Sequence, residues 1–426
     1  MTSAPTLRRR ALAAAAASLL ALPAACSESG SKGATPTSSS TAARTSQPTP
    51  TAASSSTPAA QTSTPAPATT TATCAERIAA RLTPAQQAGQ LLMVGLHASE
   101  SSRALAAQVS RQQLGGVVYL GGWHQGSAQV TTVSQRLQAA ARARAGATGG
   151  VGGLLVAADQ EGGEVQQLRG SGFTRMPSAR TQATLGTASL QRAAAAWARE
   201  LKRAGVNVNL APVADTVPTS LGSRNAPIGA HRRDFVPGSA SANGRYAAAF
   251  VRGTRAAGVA PTVKHFPGLG RVSSNTDFAA SGITDGTTTA TDPYLEPFRE
   301  AIAAGAPLVM LSSARYTRID GAHQAMFSST VISSLLRGRL GFDGVVISDD
   351  VGAARSVSAV PVGERATRFV AAGGDIVLTA ESGQAGTMIA ALTARARTSP
   401  AFAAQLRAAT ARVVALKVRL GLASCG

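Results

Sequence analysis

The segment GFDGVVISDDVGAA, Gly341 to Ala354, is an apolar strand that stops abruptly on two carboxylates. Gly344-Val345-Val346-Ile347 is apolar and β-branched enough to be buried on both faces, which puts Ser348, Asp349 and Asp350 at the strand's C-terminal mouth. Parallel barrels carry their reactive groups there. Alone, either carboxylate could equally cap the next helix.

Two upstream segments repeat the design. In VKHFPGLGRVSSNTD, Val263 to Asp277, an apolar strand (Ala260 to Val263) is followed directly by Lys264 and His265. Pro267 and Gly268 then force a turn, and Gly270 frees a mobile loop that carries Asn275, Thr276 and Asp277. In LLVAADQEGGEVQQLRG, Leu154 to Gly170, a strand ends on Asp159, a Gly-Gly turn and Arg169.

Apolar strand-like runs occur at Leu91 to Leu96, Gly116 to Leu120, Leu154 to Ala158, Val206 to Leu210, Ala260 to Val263, Leu308 to Leu311, Val345 to Ser348 and Ile376 to Thr379, separated by helix-length segments. That count and rhythm predict an α/β chain folded as a single (β/α)8 TIM barrel. A doubly wound sheet that binds a dinucleotide would need a Gly-rich turn after its first strand, where the chain reads HASES instead. On the barrel reading Asp159, Asp215, Lys264, His265 and Asp349 all fall at strand C-termini and converge on one face.

These segments, with NVNLAPVAD (Asn207 to Asp215), resemble the family 3 glycoside hydrolases, most closely their single-domain β-N-acetylglucosaminidase branch. The resemblance runs from about Ile78 to Leu422. It implies a retaining exo-acting enzyme that releases terminal β-GlcNAc from cell-wall-derived glycans; a β-glucosidase or other family 3 exo-glycosidase is the alternative within enzymes, and a sugar-binding lipoprotein with a decayed site the alternative outside them. Such chemistry needs a carboxylate beneath the anomeric carbon and a proton donor at the leaving oxygen. Asp349 matches the family's nucleophile, with Asp350 a structural neighbour bonded to backbone or Arg. Asp159, Lys264 and His265 match sugar-binding positions.

The chain departs from the family pattern in three places. Where the branch carries an Asp-Ser-His set whose His is the acid/base, this chain has Asn275, Thr276 and Asp277, so Asp277 takes that register as candidate acid/base. In RNAPIGAHRRDFVPG, Arg224 to Gly238, counting back from Phe235 selects Arg233 as the sugar-binding Arg, whereas counting forward from Ile228 selects His231; Arg233 is preferred. The family's Ala-His after the sixth strand is replaced by MLSSARY, Met310 to Tyr316.

The remaining features concern location and partners. Arg8-Arg9-Arg10, the Ala/Leu stretch Ala11 to Leu22 and the small residues before Cys26 read as an export signal, residues 1–26. LPAAC, Leu22 to Cys26, resembles a lipobox, with Cys26 the acylated residue of a membrane lipoprotein, or ordinary cleavage and secretion if it is not acylated. Residues 27–73, rich in Ser, Thr, Pro and Ala, read as a disordered tether, leaving 74–426 as the barrel domain. Cys74 and Cys425 bracket that domain and, in an exported chain, are expected to pair.

No CxxC or His/Cys cluster points to a metal, and no cofactor is called for. The formal charge of +20, from 41 Lys+Arg against 21 Asp+Glu, is scattered over Ala-rich helices, and aromatics are only 4%. That pattern argues against nucleic-acid binding and for tolerance of an anionic envelope. A small glycan substrate and a monomer, with membrane contact through the lipid alone, complete the expectation.

Overall fold

Strands of Val, Leu and Ile that bury both faces each need a neighbour on either side, and the chain meets that need by closing its sheet. A computed structural model describes residues 72–425. Its eight parallel strands are β1 (Leu92–His97), β2 (Gly116–Leu120), β3 (Leu155–Ala158), β4 (Val208–Asn209), β5 (Ala260–Phe266), β6 (Leu308–Leu311), β7 (Val345–Ser348) and β8 (Val377–Thr379). They pair in chain order, β8 returns to β1, and a parallel bridge between Ile347 and Ile376 closes the ring. Val345, Val346 and Ile347 are wholly buried, each worth about 1.5–3 kcal/mol when removed from water.

Helices α1 (Cys74–Arg81) and α2 (Pro84–Gln90) precede the barrel. The crossovers are α3 (Ser102–Gln112), α4 (Ser127–Arg142), a short α5 (Ala179–Ala183) with α6 (Thr187–Arg203), α7 (Ala240–Ala256), α8 (Glu296–Ala303), a π-helical segment Thr330–Arg339, and α9 (Val362–Ala371). Helices α10 (Ala385–Thr398) and α11 (Pro400–Arg419) follow β8. This is the (β/α)8 architecture expected from the strand rhythm.

Two strands differ from the expected bounds by more than one residue at an end, each for a physical reason. In β4 the paired residues shrink to Val208 and Asn209, flanked by backbone bonds from Asn207 N to Val156 O and from Leu210 N to Ala158 O, and side-chain amides supplement them. Asn207 Oδ1 accepts from Val156 N at 2.9 Å, and Asn209 Oδ1 accepts from Gln160 N at 3.2 Å. In β5 the strand does not stop at Val263. It runs through Lys264 and His265 to Phe266, with Ala214 N donating to Lys264 O at 2.7 Å and Ser312 N to Phe266 O at 2.8 Å. Equating a strand with apolarity ended it too early, since both polar residues are buried against carboxylates. The pairing register with β6 shifts between Val263 and Phe266, and such bulges re-aim side chains.

The termini meet at the end of the barrel where the strands begin. Cys74 and Cys425 form the expected disulfide, with Cα atoms 5.8 Å apart and a sequence separation of 351. Nearby, Gly153, just ahead of β3, donates to Leu422 O at 2.7 Å, and Ala75, Ile78, Val151 and Val414 form a small apolar cluster. Thr73 is already part of the domain, capping α1 in a reciprocal box with Glu76. The export signal, Cys26 and residues 27–71 lie outside the described residues.

Because the disulfide sits at the end opposite the strand C-termini, its loss should cost stability without touching chemistry there. Cys74→Ser is expected to destabilise by about 2–5 kcal/mol, read as a lower urea midpoint. The kcat of the folded variant should equal that of the parent.

Candidate active site

The strand C-termini surround a cavity of about 620 Å3 whose lining includes Asp159, Arg233, Lys264, His265, Asp277 and Asp349. Its floor is a charge network. Glu161, two residues beyond Asp159 and on a short hairpin (Gln160–Gly162 with Val165–Gln166), is buried and binds two cations. Arg233 meets it with a two-pronged pair, Nε to Oε2 at 2.9 Å and Nη2 to Oε1 at 2.8 Å. Lys264 Nζ lies 2.6 Å from the same Oε1 and also bonds Asp159. Burial would raise the Glu161 carboxyl, but Arg233 and Lys264 outweigh it and hold its pKa at about 2. Burial alone would lower Lys264, yet Asp159 and Glu161 leave it raised and charged.

His265 is oriented by a second buried carboxylate. Asp215 accepts from His265 Nδ1 at 2.8 Å, from His265 N at 3.2 Å and from Leu269 N at 2.8 Å. One carboxylate thus fixes both the imidazole and the turn that begins the next loop. The other ring nitrogen, Nε2, stands 3.4 Å from Arg233 Nη2, so the two groups share one patch of the floor.

Asp349 continues directly from β7 and is held by its backbone, with Asp349 N donating to Leu311 O at 3.1 Å. Burial pushes its carboxyl up, while His265 and Lys264 pull it back. Asp350 plays the structural part expected of it, through backbone. It accepts from Gly352 N and Ala380 N, each at 2.7 Å, and from Ala353 N and Ala354 N at 2.9 and 3.1 Å.

Asp277 stands at the cavity mouth. Its residue surface is open to water, yet protein atoms crowd around its carboxyl, as happens in a cleft. That crowding, then the negative charge of Asp349, pushes its pKa up to about 6. Both carboxyls are therefore raised, Asp349 chiefly by burial and Asp277 by burial and by the charge of Asp349.

The loop bearing Asp277 is tied down at both its tip and its start. Arg355 N donates to Asp277 O at 3.0 Å and Ser356 N to Thr276 O at 3.1 Å. Gly270, read in sequence as a source of loop freedom, instead allows close approach, because a Cβ there would lie 1.8 Å from Thr216 O.

Of the two alternatives in the Arg224–Gly238 segment, Arg233 reaches the floor, whereas His231 stays at the rim in a 2.6 Å pair with exposed Glu164. From β6 only Met310 lines the cavity; Ser312 and Ser313 are buried in bonds to Tyr316 and Ser356. Among the described residues no group of three or more His, Cys, Asp or Glu could hold a metal ion.

Residues 84–416 match the family described as glycosyl hydrolase family 3, N terminal domain. The chain belongs to glycosyl hydrolase family 3. A β-hexosaminidase of Stenotrophomonas maltophilia is 34% identical to this family 3 chain over 304 residues, 68% of the chain and 82% of the relative. A solved β-N-acetylhexosaminidase from Beutenbergia cavernae is 44% identical with a TM-score of 0.76, covering 79% of this chain and 99% of that one. A family 3 β-N-acetylglucosaminidase from a Paenibacillus species is 30% identical with a TM-score of 0.68, over 80% and 63% of the two chains.

Sequence reasoning missed Glu161, the residue that joins the family 3 floor together. The signal was present: Asp159 and Glu161 are two apart after a strand, the spacing that puts side chains on one face. Removing one partner of a buried ion group typically costs about 3–5 kcal/mol because the others are left uncompensated. Glu161→Ala should show such a loss in urea unfolding. Below pH 4.5 the parent should approach the variant, because a carboxyl depressed to about 2 contributes stability above its unfolded pKa and loses it as pH falls toward 2.

Proposed function

We propose that this family 3 chain is a retaining exo-β-N-acetylglucosaminidase acting on terminal β-GlcNAc of cell-wall-derived glycans. The observation that carries the reading is two carboxyls lining one cavity: Asp349, half-buried at the end of β7, and Asp277 on the loop at the mouth, protonated up to about pH 6. Position divides their roles: Asp349 follows β7 directly, and Asp277, on the loop at the mouth, carries a proton it can give to a leaving oxygen. The similarity to β-N-acetylhexosaminidases supports the choice of sugar.

In the first step an Asp349 oxygen attacks the anomeric carbon from beneath. The bond to the leaving oxygen breaks as Asp277 gives that oxygen its proton, leaving a covalent glycosyl ester. In the second, ionised Asp277 takes a proton from water, the hydroxide equivalent attacks the same carbon, and Asp349 is released. Lys264, Arg233 and Asp159 grip ring hydroxyls by charge-assisted hydrogen bonds, with His265 beside them. When the site closes on sugar, the two carboxyl groups stand roughly 5–5.5 Å apart.

Asp349→Ala should abolish turnover of all substrates. Asp277→Ala should lose about 100- to 10,000-fold on oligosaccharides, which need protonation, far less on activated aryl glycosides, and regain rate with azide. A donor must be protonated, so kcat/KM on poor leaving groups should fall about tenfold per unit above pH 6, and Asp277→Asn should lose that limb. Near-normal oligosaccharide hydrolysis by Asp277→Ala would overturn the acid/base role; parallel assays on aryl β-GlcNAc and aryl β-glucoside test the sugar.

The same reading places the protein outside the cytoplasm as a monomer, anchored through acylated Cys26, and the Cys74–Cys425 bond fits an oxidising compartment. Cys26→Ala should move it from the membrane to the soluble fraction.

A further inference from the structure

Among the described residues only two large hydrophobic side chains are exposed, Leu185 at 44% and Phe278 at 80%. Phe278 takes no part in the core and lines the cavity mouth directly after Asp277. It is not on a frayed tip: Phe278 N donates to Asn275 O at 3.2 Å, and the next bond along, Ala279 N to Asn275 O, measures 2.9 Å. An aromatic ring held in water on an ordered loop leaves apolar surface without a partner in the fold.

Arg355 stands beside it. The bond from Arg355 N to Asp277 O holds Arg355 against the residue that precedes Phe278. The Arg355 side chain is exposed, lines the same cavity and makes no hydrogen bond or ion pair among the described residues. The rim here therefore offers an apolar ring and an unspent guanidinium together, whereas the charges of Arg233 and Lys264 on the floor are already paired with carboxylates.

We propose that Phe278 and Arg355 form the site for the leaving-group sugar, with the C–H face of its ring on Phe278 and an acidic substituent of that ring at Arg355. The inference rests on the glycosidase reading, in which Asp277 protonates the leaving oxygen. Phe278 and Arg355 line the same cavity as Asp277, so a ring attached to that oxygen lies within reach of both. Aromatic rings take the offset-stacked face of apolar ring systems, and a guanidinium pairs a carboxylate with two parallel hydrogen bonds.

The test compares kcat/KM for three substrates: N-acetylglucosaminyl fluoride, which has no leaving ring, a β-1,4-linked GlcNAc disaccharide, and the same disaccharide with a 3-O-lactyl carboxylate on its reducing ring. Phe278→Ala should lower the disaccharide-to-fluoride ratio about tenfold, and Phe278→Tyr should restore it. Arg355→Gln should lower the ratio of the lactylated to the plain disaccharide by about tenfold. Equal losses on all three substrates would mean the two residues only position the loop and would overturn the proposal. If the unsubstituted protein cleaves none of the three, the glycosidase reading falls and this one with it; if it cleaves them and neither ratio moves, only this one falls.

Discussion

The shared contact of Glu161 with Arg233 and Lys264 is the interaction on which the rest of the site depends. Taking charges out of water costs several kcal/mol per ion, and a buried cation persists only where anions and hydrogen bonds surround it. Glu161 lets two cations from different parts of the chain, β5 and the Arg224–Gly238 segment, share one buried anion. Arg233 then fixes one edge of His265, Asp215 fixes the other, and Asp215 also anchors the turn that leads to the Asp277 loop. A chain of contacts runs from the floor to the mouth without passing through solvent.

This order divides the site into a rigid part and an adjustable part. Glu161, Arg233, Lys264 and His265 are each held by two or more bonds and have little freedom to lose when a sugar binds. The rim is held mainly by backbone bonds, with side chains free to vary. Asp350 shows the same economy, since its four backbone partners shape the segment after β7 while its neighbour Asp349 is left facing the cavity.

Much of this was legible in the amino-acid sequence, for a reason that Ile347 to Asp350 illustrates. A strand buried on both faces must be apolar until its end, so the switch to carboxylate marks the mouth of the barrel. β2, β6 and β7 follow that rule and have the bounds that apolarity predicts. β5 breaks it, because its charges are neutralised by residues about 50 and 100 positions away, and such pairing is invisible to a local pattern. Gly270 misled for a related reason: a glycine that makes room for Thr216 looks the same in sequence as one that loosens a loop. Exposure was equally hidden, since nothing in NTDF distinguishes an aromatic that turns inward from one left at a rim.

The Cys74–Cys425 bond turns the barrel's chain into a covalent ring. A protease that cuts one surface loop, such as the segment of turns between α4 and β3, would open that ring without separating it into two pieces. The cut molecule would still be a single covalent strand with its old ends joined and new ends elsewhere. A barrel built this way stays in one covalent piece after such a nick, which acts on it as a relocation of its chain ends.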